Sequence, residues 1–267
     1  MEYCRSAGSG FSPPSSSQLS LRTAVISPRS QVTKRAALTN GILRRLPRKE
    51  FKTISPKLEL VRLPLHSVLN EAAEPIAYCY FMSDGLASIL TVLGNGKLVE
   101  VGLTGAEGFV GLPLVAGLKT SATRVIVQVA GSGYRISARN LIGVLTVCPA
   151  LRKSLAQFGQ EVAVQSAQIA ACNRLHNANQ RMARWLLMSQ DRLGGDQVRL
   201  TQEFLAHMLG MRRASVNVAL GFLQKARHIG YARGAVRIED RSGLEAAACE
   251  CYASITKQNK RWRRESR

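Results

Sequence analysis

The apolar positions along the chain change their period twice. From about Leu58 to Ile136 they come in short runs, alternating or continuous, separated by glycine. LASILTVL, then GNG, then KLVEVGL reads as a hairpin, and TRVIVQV and GYRIS predict two further strands. Strands so closely spaced, with no helix between them, predict a barrel or roll. After Pro149 the period becomes helical: Leu151, Leu155, Phe158, Val162, Gln165, Ile169, Cys172 and His176 alternate steps of four and three. That is the pattern of a two-stranded coiled-coil seam, although a helix packed on its own domain would show it too. The length of the stripe and the polar Gln165 inside it favour a parallel dimer, with Leu155, Phe158, Val162, Gln165, Ile169 and Cys172 on the seam.

The second change comes at Leu200, where LTQEFLAHMLGMRRASVNVALGFLQ holds two amphipathic runs around one glycine. In the first, Phe204, Leu205, Met208 and Leu209 fall at helical spacing behind Thr201, a ready N-cap. Gly210 supplies the permissive backbone of a sharp turn. The second helix, about 212–224, buries Val216, Ala219, Leu220 and Leu223. Ala206, four residues before Gly210, allows the helices to approach, and Val216, six after it, wedges between them. This spacing resembles the DNA-binding helix-turn-helix, whose second helix enters the major groove. A plain helical hairpin is the simpler alternative, and the paired arginines weigh against it.

Opposite the buried stripe lie Arg213, Ala214, Asn217 and Val218. Arginine can grip guanine and asparagine adenine through two hydrogen bonds each, while small apolar side chains suit a thymine methyl. Arg212 and Ser215 sit nearer the edge, where phosphates would be met. Downstream, HIGYARGAVRIED predicts two short strands around Arg233-Gly234-Ala235. Such a hairpin is a wing, and Arg233 at its tip would meet the duplex backbone.

Charge sharpens this only in part. The chain has 267 residues, with 37 Lys and Arg against 17 Asp and Glu, a formal net charge of +20. An excess of this size points to a polyanion. Residues 1–55 hold ten of the cations against two acids, and residues 257–267 hold six against one. Most of the excess therefore lies at the ends, where it would add unspecific attraction to phosphates.

Residues 1–45 are rich in Ser and Arg and lack the apolar core of a secretory signal, so a disordered extension is expected. Organelle transit peptides share that composition. No apolar run is long enough to span a bilayer, and a cytoplasmic protein without a membrane partner is expected. Six cysteines, Cys4, Cys79, Cys148, Cys172, Cys249 and Cys251, show neither a repeated CxxC pair nor a Cys/His cluster at zinc spacing. No metal and no cofactor are expected. On a parallel seam Cys172 would face its symmetry mate and could form an intersubunit disulfide; a small buried hydrophobe is the favoured alternative.

A roll, a long helix and a winged helix-turn-helix, in that order, resemble the Crp–Fnr family of bacterial transcription regulators. The resemblance spans Leu46 to Leu244, with GLTGAEGFVGLPLV and LAHMLGMRRASVNVALGFLQ its most specific stretches. It implies an α+β fold in five parts. These are the extension (1–45), a cyclic-nucleotide-binding-like β-roll or jelly roll (46–148), a dimerisation helix (149–178), a winged helix-turn-helix (179–246) and a basic tail (247–267). It also implies a homodimer on a two-fold symmetric operator in double-stranded DNA, with RNA polymerase as a further partner. The family's base-contacting positions fall on Arg213, Ala214 and Val218.

At the positions that hold ribose and phosphate in members binding cyclic AMP, this chain has Gly111-Leu112 and Ala122-Thr123. A buried phosphate diester left unpaired is costly, so no cyclic AMP binding is expected. Arg124 is adjacent, but strand alternation points it to the other face. Cys4 and Cys79 do not supply the cluster that iron–sulfur members need. His66 is the candidate axial ligand for haem, against the commoner structural role. The apolar lining, with Leu112, Leu114 and Val115, suits a hydrophobic effector or none.

Two rivals remain. A cupin-like oxygenase needs several histidines and a carboxylate inside the roll, and only His66 lies in that stretch. No catalytic residue is expected. A pure interaction module would keep the fold without DNA binding, and Arg212, Arg213 and Arg233 argue against it.

Overall fold

The computed structural model describes residues 39–265 except Arg233, with the side chains of Arg199 and Arg263 also left aside. It has the expected α+β architecture. Strands β1 (Glu59–Leu63), β8 (Gly131–Ser137), β3 (Tyr78–Met82) and β6 (Phe109–Val110) form one sheet of the roll, in that order. Strands β2 (Val68–Asn70), β7 (Thr123–Val129), β4 (Leu86–Val92) and β5 (Leu98–Thr104) form the other. Neighbouring strands run antiparallel, and the expected hairpin pairs Thr91 with Val99. The sheets close on Val61, Leu63, Tyr80, Met82, Val125 and Val127, all buried.

The folded part begins earlier than expected. Residues 39–45, expected to belong to a disordered extension, include α1 (Gly41–Arg45), followed by α2 (Arg48–Ile54). The cause is Asn40, which is fully buried. Its Oδ1 accepts from the amides of Ile42 and Leu43, while its Nδ2 donates to the carbonyls of Met82 and Gly108 at 2.8 and 2.9 Å. One side chain thus caps a helix and ties it to the roll. Residues 1–38 lie outside the described part.

After α3 (Ala138–Val147) the chain turns into α4 (Pro149–Leu175), the long helix. Its first turn is capped by the Glu50 carboxylate, which accepts from the amides of Ala150 and Leu151 at 3.0 and 2.9 Å. The expected dimer seam is corrected here, because five of its six side chains are buried within their own chain and Val162 is half-buried against the roll. Leu151, Leu155 and Phe158 join the core between α4 and the roll, with Val162 packed beside it. Gln165 donates to the carbonyl of Leu103 at 3.1 Å, Ile169 joins the core that continues into the C-terminal region, and Cys172 meets Cys249. A Cβ on Gly108 would lie 2.5 Å from the Phe158 ring, so the glycine of GAEGFVG is what lets α4 lie down on the roll.

The basic tail is likewise corrected. After α8 (Arg241–Ala247), α9 (Glu250–Glu265) forms a helix along α4 rather than a solvated segment. It buries Cys251, Tyr252 and Ile255. Arg241 donates to the Tyr252 hydroxyl and to Asp191 at 2.6 and 2.7 Å, and Tyr252 donates to Asp191 at 2.9 Å. Among the described residues, no single helix is long and apolar enough to cross a membrane.

Candidate nucleic-acid interface

The C-terminal region is built on α5 (Ala178–Leu193), whose Asn177 and Gln180 form a reciprocal capping box. Against it pack α6 (Gln202–Leu209) and α7 (Arg213–Lys225). Thr201 caps α6 by accepting from the Phe204 amide at 3.2 Å. Gly210 ends it with φ +56°, a left-handed conformation that glycine adopts without strain. The Met211 amide reaches back to the Ala206 carbonyl at 2.9 Å, and Arg181 of α5 donates to the Leu209 carbonyl. The turn is therefore held from both sides, and Arg212 stands as the N-cap of α7.

Val216, Ala219, Leu220 and Leu223 of α7 are buried in a core shared with Trp185, Leu186 and Leu205. The opposite face is exposed at Arg212, Arg213, Ala214, Asn217, Val218 and Gly221, and Ser215 is half-buried at its edge. Val218 is 69% exposed although it is a large apolar side chain on a well-formed helix. Lys225 and Arg227, exposed cations at the far end of α7, lie outside the residues that the helical pattern singles out. The signal for them was present in the segment KARH at the end of the helix.

Strands β10 (Ile229–Ala232) and β11 (Ala235–Ile238) make the expected wing, with β9 (Gln197–Arg199) on the outer side of β11. Tyr231 pairs with Val236 and Ala232 with Ala235, and Gly234 at the tip has φ +72°. Arg233, expected to meet the duplex backbone, lies outside the described residues.

This helix-turn-helix unit is joined to the roll by polar as well as apolar contacts. Trp185 of α5 donates to Glu100 Oε1 at 2.8 Å, and Glu100 is 3% exposed. Burial pushes the Glu100 carboxyl up to about 7, against the opposing influence of the Trp185 donor and two arginines. Arg192 pairs with Glu107 at 2.8 Å and donates to Gln165 at 3.0 Å, so α4, α5 and the roll meet at one side chain.

The expected effector residues separate. Gly111, Leu112 and Thr123 line a cavity of about 370 Å3 between the roll and α4, together with Ser121 and Ser166. Ala122 is exposed and does not line it. Among the described residues no charged side chain lines it, and Arg124 is paired with Glu71 at 2.7 Å. Leu114 is buried in the core under α4, with Val115 packed against it, rather than lining the cavity. His66, the haem-ligand candidate, is exposed and stacks on Phe204 of α6 with ring centroids 6.0 Å apart, away from that cavity.

A three-helix head with a two-stranded wing, carried on a β-roll and a long helix, defines the class: a winged helix-turn-helix coupled to a β-roll. Residues 180–247 match the model of the Crp-like helix-turn-helix domain. No curated protein matches the chain by sequence. Among solved structures, a transcriptional regulator of the Crp/Fnr family from Eubacterium rectale shares 14% identity at a TM-score of 0.62, covering 78% of this chain and 98% of its own. FixK2 from Bradyrhizobium japonicum shares 15% at 0.63, covering 72% and 98%. The c-di-GMP-responsive global regulator CLP of Xanthomonas campestris shares 16% at 0.60, covering 72% and 99%. The chain thus carries a Crp-like helix-turn-helix domain within the fold of the Crp/Fnr regulators.

Proposed function

We propose that the protein is a DNA-binding transcription regulator of the Crp–Fnr type, acting in the cytoplasm and without catalytic activity. The observation that carries this reading is the exposed face of α7, where two arginines, an asparagine and an uncovered valine project together. A merely solvated face would have no use for Val218, whereas a thymine methyl would cover it. Arg213, Ala214, Asn217 and Val218 read base edges, and Arg212 and Ser215 hold phosphates.

The protein acts as a homodimer through α4, but along a different stripe from the one the apolar period suggests. Ala156, Ala163, Ala167, Ala170 and Ala171 are exposed on the side of α4 turned away from the roll. Small side chains there permit close approach of a second copy, and two readers then meet half-sites about 34 Å apart. Ala167→Glu introduces a charge on that line at little cost to the helix and should convert the dimer to monomer by sedimentation velocity. A dimer unchanged in mass and affinity would remove α4 as the interface.

The cavity beside Thr123 suits a neutral, largely apolar effector, since among the described residues no cation lines it to hold a phosphate. Calorimetry with cyclic AMP should show no binding at micromolar concentration. DNA recognition is tested by selecting bound sequences from random duplexes and repeating the titration across salt. Sequence-dependent affinity that survives competitor DNA supports the reading; equal, salt-sensitive affinity for every duplex overturns it.

A further inference from the structure

Two pairs of side chains that stand far apart in the sequence converge where α4 meets α5. Cys172 and His176 lie one turn apart at the end of α4, and Cys249 and Cys251 flank the start of α9. Their ligating atoms all lie within 4.8 Å of one another. Cys172 Sγ is 3.4 Å from Cys249 Sγ, and Cys251 Sγ is 3.5 Å from His176 Nδ1. A tetrahedral ion with bonds of about 2.3 Å to sulfur places its ligand atoms about 3.8 Å apart. An iron–sulfur cluster needs a wider cage, because its thiolates bind different irons. We propose that Cys172, His176, Cys249 and Cys251 bind one divalent ion of the zinc class in a closed Cys3His site, fastening the C-terminal helix to the joint between the long helix and the reading head.

Two surrounding features have the chemistry such a site requires. The first is the outer support of the histidine. With Nδ1 turned to the thiols, His176 Nε2 lies 3.1 Å from Glu250 Oε2. That carboxylate–imidazole pair fixes the tautomer that leaves Nδ1 free to ligate. Gln168 supports the other side by donating from Nε2 to Cys251 Sγ at 3.2 Å.

The second is charge. Zinc with three thiolates and a neutral imidazole carries one net negative charge, which a buried site must balance. Arg184 is 2% exposed, interacts with Cys172, and has no carboxylate within ion-pair distance among the described residues. Its Nη1 donates to Met188 Sδ, and its Nε has no partner among the described residues. A thiolate-bound ion beside it accounts for a cation buried there. Ligation releases the three thiol protons to solvent and changes no oxidation state.

All four positions are filled by protein, which leaves no coordination site for substrate and gives a structural rather than a catalytic ion. The consequence is mechanical. His176 ends α4 immediately before the cap of α5, so the ion clamps the segment through which a change at the roll would reach the reading head. This inference does not rest on DNA binding, and its readouts are independent of it.

The test uses the full chain purified anaerobically with reductant. Elemental analysis should find one zinc per chain, and replacement by Co2+ should give thiolate-to-cobalt charge transfer with the intense visible bands of tetrahedral coordination. Cys249→Ser and Cys251→Ser should each lose the ion, whereas Cys148→Ser, outside the site, should keep it. Because the serine variants could fail to fold, the native chain provides a second measurement: zinc should protect Cys172, Cys249 and Cys251 from alkylation, and a chelator should expose them. Glu250→Ala should weaken zinc about tenfold in competition with a chelator, the low end for an outer partner because this carboxylate is largely exposed. A reduced native chain that binds neither Zn2+ nor Co2+ at one equivalent would overturn the site. So would a Cys172–Cys249 disulfide in that preparation, or metal retained in both serine variants.

Discussion

The two helices α4 and α7 show the same pattern and mean different things by it. In both, apolar residues at steps of three and four mark a face that is buried. In α7 that face, Val216 to Leu223, packs into the reading head, and the opposite face carries arginine, asparagine and an uncovered valine. In α4 the face from Leu151 to Cys172 is as deeply buried, but against the roll, α5 and α9 of the same chain. Its opposite face is a row of alanines. Period reports that a face leaves water; it does not report what covers it. The residue types on the other face are the better guide to a partner.

The comparison is sharpened most by Phe158, which would be a seam residue on one reading and is a core residue in the structure. Phe158→Ala should lower unfolding stability by about 3–5 kcal/mol, the usual result of emptying a packed aromatic site. The reduction should be the same at every protein concentration in denaturant melts, with dimer mass unchanged below the transition. A variant that stays folded and becomes monomeric would return Phe158 to an intersubunit contact.

A second, slightly smaller effect tests the contact between roll and reading head. Ser88 Oγ lies 2.7 Å from Glu100 Oε2 and 2.5 Å from Gln128 Oε1. A hydroxyl has one proton; given to Gln128, it leaves a lone pair for a protonated Glu100. With the Glu100 carboxyl raised from 4.5 to about 7 in the folded protein, the native state holds a proton that the unfolded chain releases. The stability from this group is present below about pH 4.5 and falls as pH rises through 7, by about 3 kcal/mol in total. Glu100→Gln keeps an acceptor for Trp185 and supplies a donor to Ser88. It should flatten the pH dependence between 4.5 and 7 and be the more stable protein above that. Identical pH profiles for variant and parent would show that Glu100 is ionised in the fold.

The folds of the roll and the helix-turn-helix were legible because their signals are local. Alternation around GNG and the Ala206, Gly210 and Val216 spacing each act within one hairpin or one turn. The α1 helix was not legible, since it depends on Asn40 finding carbonyls of Met82 and Gly108 far along the chain. The thiol cluster was missed for the same reason. CxC near the C-terminus is weak alone, and Cys172 and His176 join it only when α9 lies back along α4. The tail misled because its charge is real while its Tyr252 and Ile255, spaced three apart, were too few to mark a buried face.

The smallest effect is the most discriminating for α7. Arg212 and Arg213 are adjacent, both exposed, and indistinguishable by charge. They differ in place: Arg212 precedes the helix as its cap, and Arg213 is its first residue. A side chain on the helix projects with Asn217 one turn later, toward base edges, whereas one on the incoming loop flanks the groove. Arg213→Ala should therefore cost about 1–3 kcal/mol on the preferred duplex and relax the choice of one base pair in each half-site. Arg212→Ala should weaken every duplex alike and reduce the slope of log affinity against log salt by about 1 for each phosphate it no longer neutralises. Titration of both variants against matched and single-substituted duplexes separates the roles. If the two behave alike, recognition by α7 is electrostatic only, and its uncovered face resembles the basic ends of the chain more than a reader of sequence.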